Sequence, residues 1–457
     1  LLPKGDGAFR PIGLFPTLDR VYMRIRADEV REWQAANDRP YLYGGQGRGA
    51  QKAAWQSALR AEAAAADGQC HVAALLDLVK AFERIPHHRL IEAARRHRFP
   101  LWTLRMSLTA YRKLRTVRVG AAFSRTERAT RGITAGSGFA CDELRCLLLD
   151  LFDALDLWHE VDVTLYVDDA TIEATGTADL TGPPGGAERR EAVKEATESA
   201  ARRVARAADF VIGHFEGHLQ LEVNAKKSVM IASSPALARR AVGLMAGKRI
   251  KPVAATKMLG VGTAGGRRRC AAVAKDRLTK TSARLGRVRQ LRRAGLRTET
   301  WVRAGGTPAI TYGQDVTGVA DTALRQQRVF AAAALNADAA GKSVNCSLWA
   351  ADAAGAKTDP AFTAHSMPIG GWAQAVWEGW ATCATLERTA DAVRAKLAAA
   401  QRPWSVVTGP AAAAVASMGR LGWTVMTAFT ATDDVGGEID FRKDSPAAVK
   451  LRVNESV

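Results

Sequence analysis

The stretch Val161-Asp162-Val163-Thr164-Leu165-Tyr166-Val167-Asp168-Asp169 is rich in β-branched and apolar residues and stops abruptly at two adjacent carboxylates. Its first seven residues read as a strand. A lone Asp-Asp pair is most often a solvated turn, because Asp favours turns. Beside an apolar strand end the pair is costly, since like charges so close repel each other, and a divalent cation removes that cost. Hard Mg²⁺ takes oxygen ligands, uses one or two carboxylates and leaves positions for substrate phosphates.

A second acid changes the weighing. His71 to Leu76 is a short apolar run that ends at Asp77, followed by Leu78-Val79-Lys80-Ala81-Phe82. Two apolar strands that each finish in Asp, joined through a helical crossover, are expected to lie side by side with their acids at one edge. Three carboxylates there suit the two metals, about 3.5–4 Å apart, of in-line phosphoryl transfer. No protein nucleophile is then needed, and the eight histidines form no Ser/His/Asp arrangement by spacing.

The surroundings are consistent with an anionic substrate. The chain has 457 residues, 65 Lys+Arg against 46 Asp+Glu, and a formal charge of +19. Such an excess attracts polyanions, nucleic acid first and an anionic membrane surface second. A composition 47% hydrophobic and 24% charged belongs to a globular chain with a real core, long enough for two or three domains. No apolar run reaches about 18 residues, so no membrane span or membrane partner is expected. The six cysteines form no CxxC pair, which points to reduced intracellular thiols rather than a disulfide framework or structural zinc. The chain enters directly at Leu1-Leu2-Pro3-Lys4 without a signal-like region, as a piece of a longer protein would.

Helical patterns cover residues 17–35, 51–66, 87–115, 139–157 and from about 187 to 210, with strands at 71–78 and 116–120. A strand–turn–strand is expected over 217–232 and a short strand near 256–261. From Arg267 the chain is basic and helical, through Lys275, Arg277, Lys280, Arg284, Arg287 and Arg289. Strands separated by helices in runs of different kinds imply an α+β fold rather than a doubly wound sheet. Residues 341–457 are rich in Ala, Trp and Gly and carry no motif. Their tryptophans 349, 372, 377, 380, 404 and 423 are expected mainly in a core.

In order and spacing these segments resemble the reverse transcriptases of non-LTR retrotransposons and group II introns, over about residues 1–340. Tyr166-Val167-Asp168-Asp169 resembles the family's Tyr-x-Asp-Asp box, and Asp77-Leu78-Val79-Lys80-Ala81-Phe82 is similar to its Asp-x-x-Lys-Ala-Phe box. The resemblance implies a right-hand polymerase with fingers over 1–70, palm over 71–265, helical thumb over 266–340 and an unassigned C-terminal region. It implies that Asp77, Asp168 and Asp169 are both catalytic and metal-binding, holding two Mg²⁺ or Mn²⁺ ions, and that Phe82 is the steric gate excluding a 2′-hydroxyl. Leu2-Pro3-Lys4 and Phe9-Arg10-Pro11-Ile12 resemble the fingers segment, with Lys4 and Arg10 on the triphosphate. Tyr43-Gly44-Gly45-Gln46-Gly47-Arg48 resembles the segment after it. Arg131-Gly132-Ile133-Thr134-Ala135-Gly136-Ser137 sits where the family has a Gly-x-x-Gln-Gly-Ser/Asp loop, which places Gly136 and Ser137 at the nucleotide. Asn224-Ala225-Lys226-Lys227 resembles the lysine motif, with Lys227 rather than Lys226 on the leaving pyrophosphate, and Lys257-Met258-Leu259-Gly260-Val261 resembles the primer-grip turn, formed by Met258, Leu259 and Gly260.

The sequence departs from the family pattern at Ala135, where Gln is usual, at Gly138-Phe139 in place of Pro-Leu, and at Glu83 in place of Asp. These bear on template contact and fidelity rather than on the acids. The implied function is RNA-directed DNA polymerisation with an RNA template, a DNA primer and dNTPs. The second reading is an inactive polymerase fold kept as an RNA-binding scaffold. An RNA-directed RNA polymerase is disfavoured by Phe82 and by Tyr-Val before the acids. Oligomeric state and compartment have no signal in the residues, though a nucleus suits a retroelement enzyme.

Overall fold

The computed structural model describes residues 2–3, 9–10, 13–45, 47–178, 186–247, 250–336, 341–352 and 358–457, with residues 2, 3, 9, 10 and 352 described by backbone alone. Its centre is a five-stranded sheet of β1 (Cys70–Leu76), β2 (Asp162–Tyr166), β3 (Asp169–Gly176), β4 (Val229–Ala232) and β5 (Lys251–Val253). The strand order is β5-β4-β1-β3-β2. Every neighbouring pair is antiparallel except β4 with β5. The fold is α+β, as the run of elements implies.

The period of two along each strand divides the sheet into unlike faces. Val72, Ala74 and Leu76 of β1, Ala170, Ile172 and Ala174 of β3, and Val163 and Leu165 of β2 are buried in one core. Two long helices contribute to it, one at Ala140–Asp156 and one at Ala187–Gly213. The other face carries His71, Asp169, Thr171 and Glu173. Over its far end lies the helix Ala50–Ala66, where Ser57 and Arg60 both bond Glu173. The alanine content of that helix gives it high intrinsic propensity, and Gly68 at φ 69° follows its end, in the left-handed conformation common past helix C-termini.

Two expectations are corrected. β1 and β2 do not lie side by side. A two-residue hairpin turn at Val167-Asp168 sends β3 back between them, so Asp169 opens a strand rather than closing one. Residues 217–232 are not a hairpin either. His214–His218 form a π-helical turn, and the following segment runs along residues 77–79, through Val79 N–H to Glu222 O at 2.8 Å and Asn224 N–H to Asp77 O at 2.8 Å. Its backbone groups find partners beside β1, so no turn-linked strand is needed, and only β4 is a strand.

The helix Ala50–Ala66 is buried on two sides. Ala54, Trp55 and Leu59 share a second core with Ile369, Trp372, Val393, Ala413, Phe441 and Val453 of the C-terminal region. That region forms helices at Pro360–Trp377, Cys383–Ala398, Pro410–Arg420 and Pro446–Ser456 with a three-stranded antiparallel sheet. Trp372 and Trp423 are buried there, whereas Trp349 and Trp377 are exposed. The buried carboxylate of Glu62 accepts the N–H groups of Ala411 and Ala412 at 2.8 and 3.2 Å, satisfying orphan donors of a helix N-terminus. No helix among the described residues is long and apolar enough to cross a membrane.

Candidate active site

Asp77 directly follows Leu76, which pairs with Ala170, so Asp77 and Asp169 stand beside each other on adjoining strands. Alternation puts both on the face away from the two long helices. Asp168 occupies the turn between β2 and β3, preceded by Val167 at φ 60°. A positive φ at the first turn position suits a tight hairpin, but it costs a β-branched residue about 1–3 kcal/mol, and such strain collects at functional sites. The turn is braced from one side. Tyr43 N–H donates to Leu165 O at 2.9 Å and Leu165 N–H to Tyr41 O at 2.8 Å. A side chain at Gly44 would meet Val167 at 3.3 Å.

The three acids act on one another. Asp169 is exposed as a residue, yet its carboxyl is pushed up to about 6 by partial dehydration and then by the charges of Asp168 and Asp77. Lys257 and Lys227 oppose the shift. Lys227 Nζ lies 3.8 Å from Asp77 Oδ2, an oxygen that is buried with no hydrogen-bond partner among the described residues. Asp77 is fixed by its backbone, donating N–H to Ser228 Oγ at 3.0 Å. Among the described residues no three His, Cys, Asp or Glu side chains close around a single point as a metal cage does. The acids line one edge instead, a donor set of hard oxygens that fits Mg²⁺ or Mn²⁺ completed by water and phosphate oxygens.

A carboxyl raised from 3.8 to about 6 gives a pH signature. Between those values the folded chain holds a proton that the unfolded chain has lost, so without metal stability falls as pH rises through the window. A cation competes with that same proton. If Asp169 holds a cation, any rise in melting temperature on adding Mg²⁺ should be larger at pH 7.5 than at pH 5, and an equal rise at both would exclude Asp169 as a ligand.

Phe82 lies in the short helix Ala81–Arg84, entered through Lys80 at φ 52°. It is half-buried and packs on the main core. The loop of residues 131–137 is bonded to this turn, Gly132 N–H to Ile85 O at 2.7 Å and Ile133 N–H to Phe82 O at 2.8 Å. A Cβ at Gly132, whose φ is +89°, would strike Glu83 O at 2.5 Å, so only glycine allows the approach. Gly136, at φ +115°, has Gly13 O on its other side at 2.5 Å from a built Cβ. The Ser137 hydroxyl is occupied locally, accepting Phe139 N–H at 3.2 Å. Lys4 and the side chain of Arg10 lie outside the described residues.

Met258, Leu259 and Gly260 form the turn between β6 (Thr256–Met258) and β7 (Val261–Thr263). Met258 is buried, and Leu259 and Gly260 have positive φ. Tyr312 Oη donates to Leu259 O at 3.0 Å and Arg277 Nη2 to Gly260 O at 2.8 Å, with the guanidinium 4.4 Å over the Tyr312 ring. The sequence reading named Arg277 only as a cation of the basic helical stretch and gave no site role to Tyr312, to Lys257 beside the acids, or to Ser228. Only Lys257 had a readable signal, since burial of Met258 turns its neighbour in the strand to the other face.

A search of curated proteins finds no match. Among solved structures the chain is similar to apo telomerase from Candida tropicalis truncated from the C-terminal domain, at 12% identity and TM-score 0.28, covering 54% of this chain and 43% of that one. It is also similar to telomerase from Candida albicans in complex with a TWJ fragment of telomeric RNA, at 11% identity and TM-score 0.35, covering 84% and 57%. The chain thus spans about half the length of these structures. The family model described as "Reverse transcriptase (RNA-dependent DNA polymerase)" matches residues 2–260, more than half of the chain. That match, which takes in Asp77, Asp168 and Asp169, shows that the chain belongs to the reverse transcriptase family.

Proposed function

We propose that the chain is an RNA-directed DNA polymerase of the non-LTR retrotransposon or group II intron type. In this reading it extends a DNA primer on an RNA template with dNTPs. The observation that carries it is the gathering of Asp77, Asp168 and Asp169 at the open end of the sheet, with Lys227 at Asp77 Oδ2. When bound, two Mg²⁺ or Mn²⁺ ions would lower the pKa of the primer 3′-hydroxyl and steady the leaving pyrophosphate. Asp77 and the Asp168-Asp169 pair orient the oxygens around that position. Lys227 supplies positive charge, or a proton, toward the leaving group. The glycines at 132 and 136 let backbone approach the nucleotide, and Met258, Leu259 and Gly260, held by Tyr312 and Arg277, position the primer end. Residues 1–70 are assigned as fingers, 71–265 as palm and 266–340 as thumb, with the role of 341–457 open.

Ala135 favours the other reading, an inactive RNA-binding scaffold. Its backbone carbonyl accepts Gly13 N–H at 3.1 Å, and its methyl lacks the hydrogen-bonding groups of Gln. Phe82 offers a test of the catalytic reading that a scaffold cannot pass. If the ring lies under the incoming sugar, Phe82→Val should admit ribonucleotides while deoxynucleotide use survives. The ratio of kcat/KM for dTTP over UTP should fall by an order of magnitude or more, about 1.4 kcal/mol of discrimination. An unchanged ratio in a folded variant would return Phe82 to the core.

A further inference from the structure

Residues 112–131 form an arm that the reading above does not use. Leu114-Arg115 pairs with Glu127-Arg128, and Arg118-Val119 with Ala122-Phe123, closed by Gly120 at φ 60°. Every residue from Arg112 to Arg128 is exposed, including Leu114, Val117, Val119 and Phe123. A lone two-stranded hairpin is marginal in water, so an arm with both faces bare is built to meet something.

Its charge says what. The arm has seven Arg and Lys residues and a single acid, Glu127. Lys113 is held by Asp19, and Arg125 by Glu127. Among the described residues, Arg115, Arg118, Arg128 and Arg131 have no carboxylate within ion-pairing distance. A second copy of the chain would bring the same charge and be repelled.

Aromatic rings are interleaved with these cations. The Arg118 guanidinium lies 5.5 Å from the centre of the Phe123 ring, which is 67% exposed. On the helix Leu101–Tyr111, just before the arm, Trp102 is 69% exposed with Arg105 at 5.3 Å. A groove of about 380 Å³ lies along this helix and reaches the base of the arm, lined by Ile91, Leu104 and Leu108 with Arg95, Arg105 and Arg112. Cations tracking a backbone beside rings that offer a stacking face are the physical recipe for unpaired nucleic acid. The root of the arm continues into Gly132 and Ile133, which are bonded to the Phe82 turn.

We propose that the arm and the groove behind it bind single-stranded RNA and lead it to the site. That this strand is the template rests on the polymerase reading, whereas the binding itself does not.

The test uses the full chain carrying Asp168→Asn, so that extension plays no part, and an unstructured fluorescent 20-nucleotide RNA titrated over a series of KCl concentrations. Replacing Arg115, Arg118 and Arg128 together by Gln should weaken binding at least about tenfold at low salt. It should also flatten the slope of log K against log salt by about 2, three contacts at roughly 0.7 each for a single strand. Phe123→Ala and Trp102→Ala should each weaken binding about 5- to 100-fold with little change of slope, since stacking carries no counterions. All five side chains are exposed, so melting temperatures should stay at the parent value. Affinity and slope equal to the parent's in the triple variant would overturn the proposal. So would unchanged RNA binding accompanied by lost self-association, which would make the arm a protein surface. An unsubstituted chain that extends no primer, with these losses seen in the Asp168→Asn background, would leave the arm an RNA-binding element and sink only the polymerase reading.

Discussion

Asp77→Asn and Asp168→Asn should each lower primer extension by about 10³-fold or more, because a correctly held metal contributes several kcal/mol to transition-state charge stabilisation. Asn keeps nearly the same volume and some hydrogen-bonding capacity but removes the charge that holds the cation. Asp169→Asn should leave a trace of activity, as the second acid of the pair ligates less directly in the resemblance that guides this assignment. The same variants should not be fragile. Asp169 is raised by burial and by the neighbouring charges of Asp168 and Asp77, so removing one charge relieves repulsion. Without metal their melting temperatures should equal or exceed the parent's. With Mg²⁺ or Mn²⁺ the parent's rise should be mostly lost, since stabilisation by a ligand requires its site. A variant that loses activity by melting early would instead mean that the acid is structural.

Glu173→Ala should be the most damaging single change to stability outside the apolar cores. Glu173 is 1% exposed at the middle of β3. Burial alone would raise its carboxyl, but Arg60, then His71 and Ser57, hold it well below the usual carboxylate range. Arg60 Nε reaches it at 3.0 Å and Ser57 Oγ at 2.5 Å, while Arg60 Nη2 also donates to Thr164 at 3.1 Å. Removing the acid leaves the part-buried Arg60 guanidinium with Thr164 Oγ1 in place of its carboxylate, a loss at the lower end of the roughly 3–5 kcal/mol that breaking a buried pair costs. The pair joins the helix Ala50–Ala66 to the sheet, so its loss should also loosen the C-terminal region seated on that helix. Arg60→Met with Glu173→Leu should recover most of the loss, because an apolar pair of similar volume needs no dehydrated charge. Denaturant midpoints would measure both. A loss below about 0.5 kcal/mol for Glu173→Ala would place the pair among ordinary surface contacts.

The acids were legible in the chain because each ends or begins an apolar β run, and such runs announce themselves locally. What the chain did not display was their topology. A two-residue turn at Val167-Asp168 inserts β3 between β1 and β2, and Val gives no turn signal of the kind Asn-Gly or Gly does. The lock on the 258–260 turn joins residues about 17 to 53 positions apart, Arg277 to Gly260 and Tyr312 to Leu259, and no periodicity records a contact at that range. The helix Ala50–Ala66 looked like an ordinary alanine-rich helix. Its Trp55 and Glu62 serve the C-terminal core while Ser57 and Arg60 serve the sheet, and with two faces buried its pattern loses the one-sided stripe that marks a surface helix. Lys4 and the side chain of Arg10 lie outside the described residues, so their assignment to the triphosphate rests on resemblance alone.

The most direct test is Mg²⁺- or Mn²⁺-dependent addition of dTMP to oligo(dT) annealed to poly(rA), measured for the parent and for Asp168→Asn. The parent should extend the primer only with metal, and Asp168→Asn should not extend it measurably. A parent that binds the hybrid tightly yet adds no nucleotide with either metal, or an Asp168→Asn variant that extends as well as the parent, would contradict the assignment of the acids.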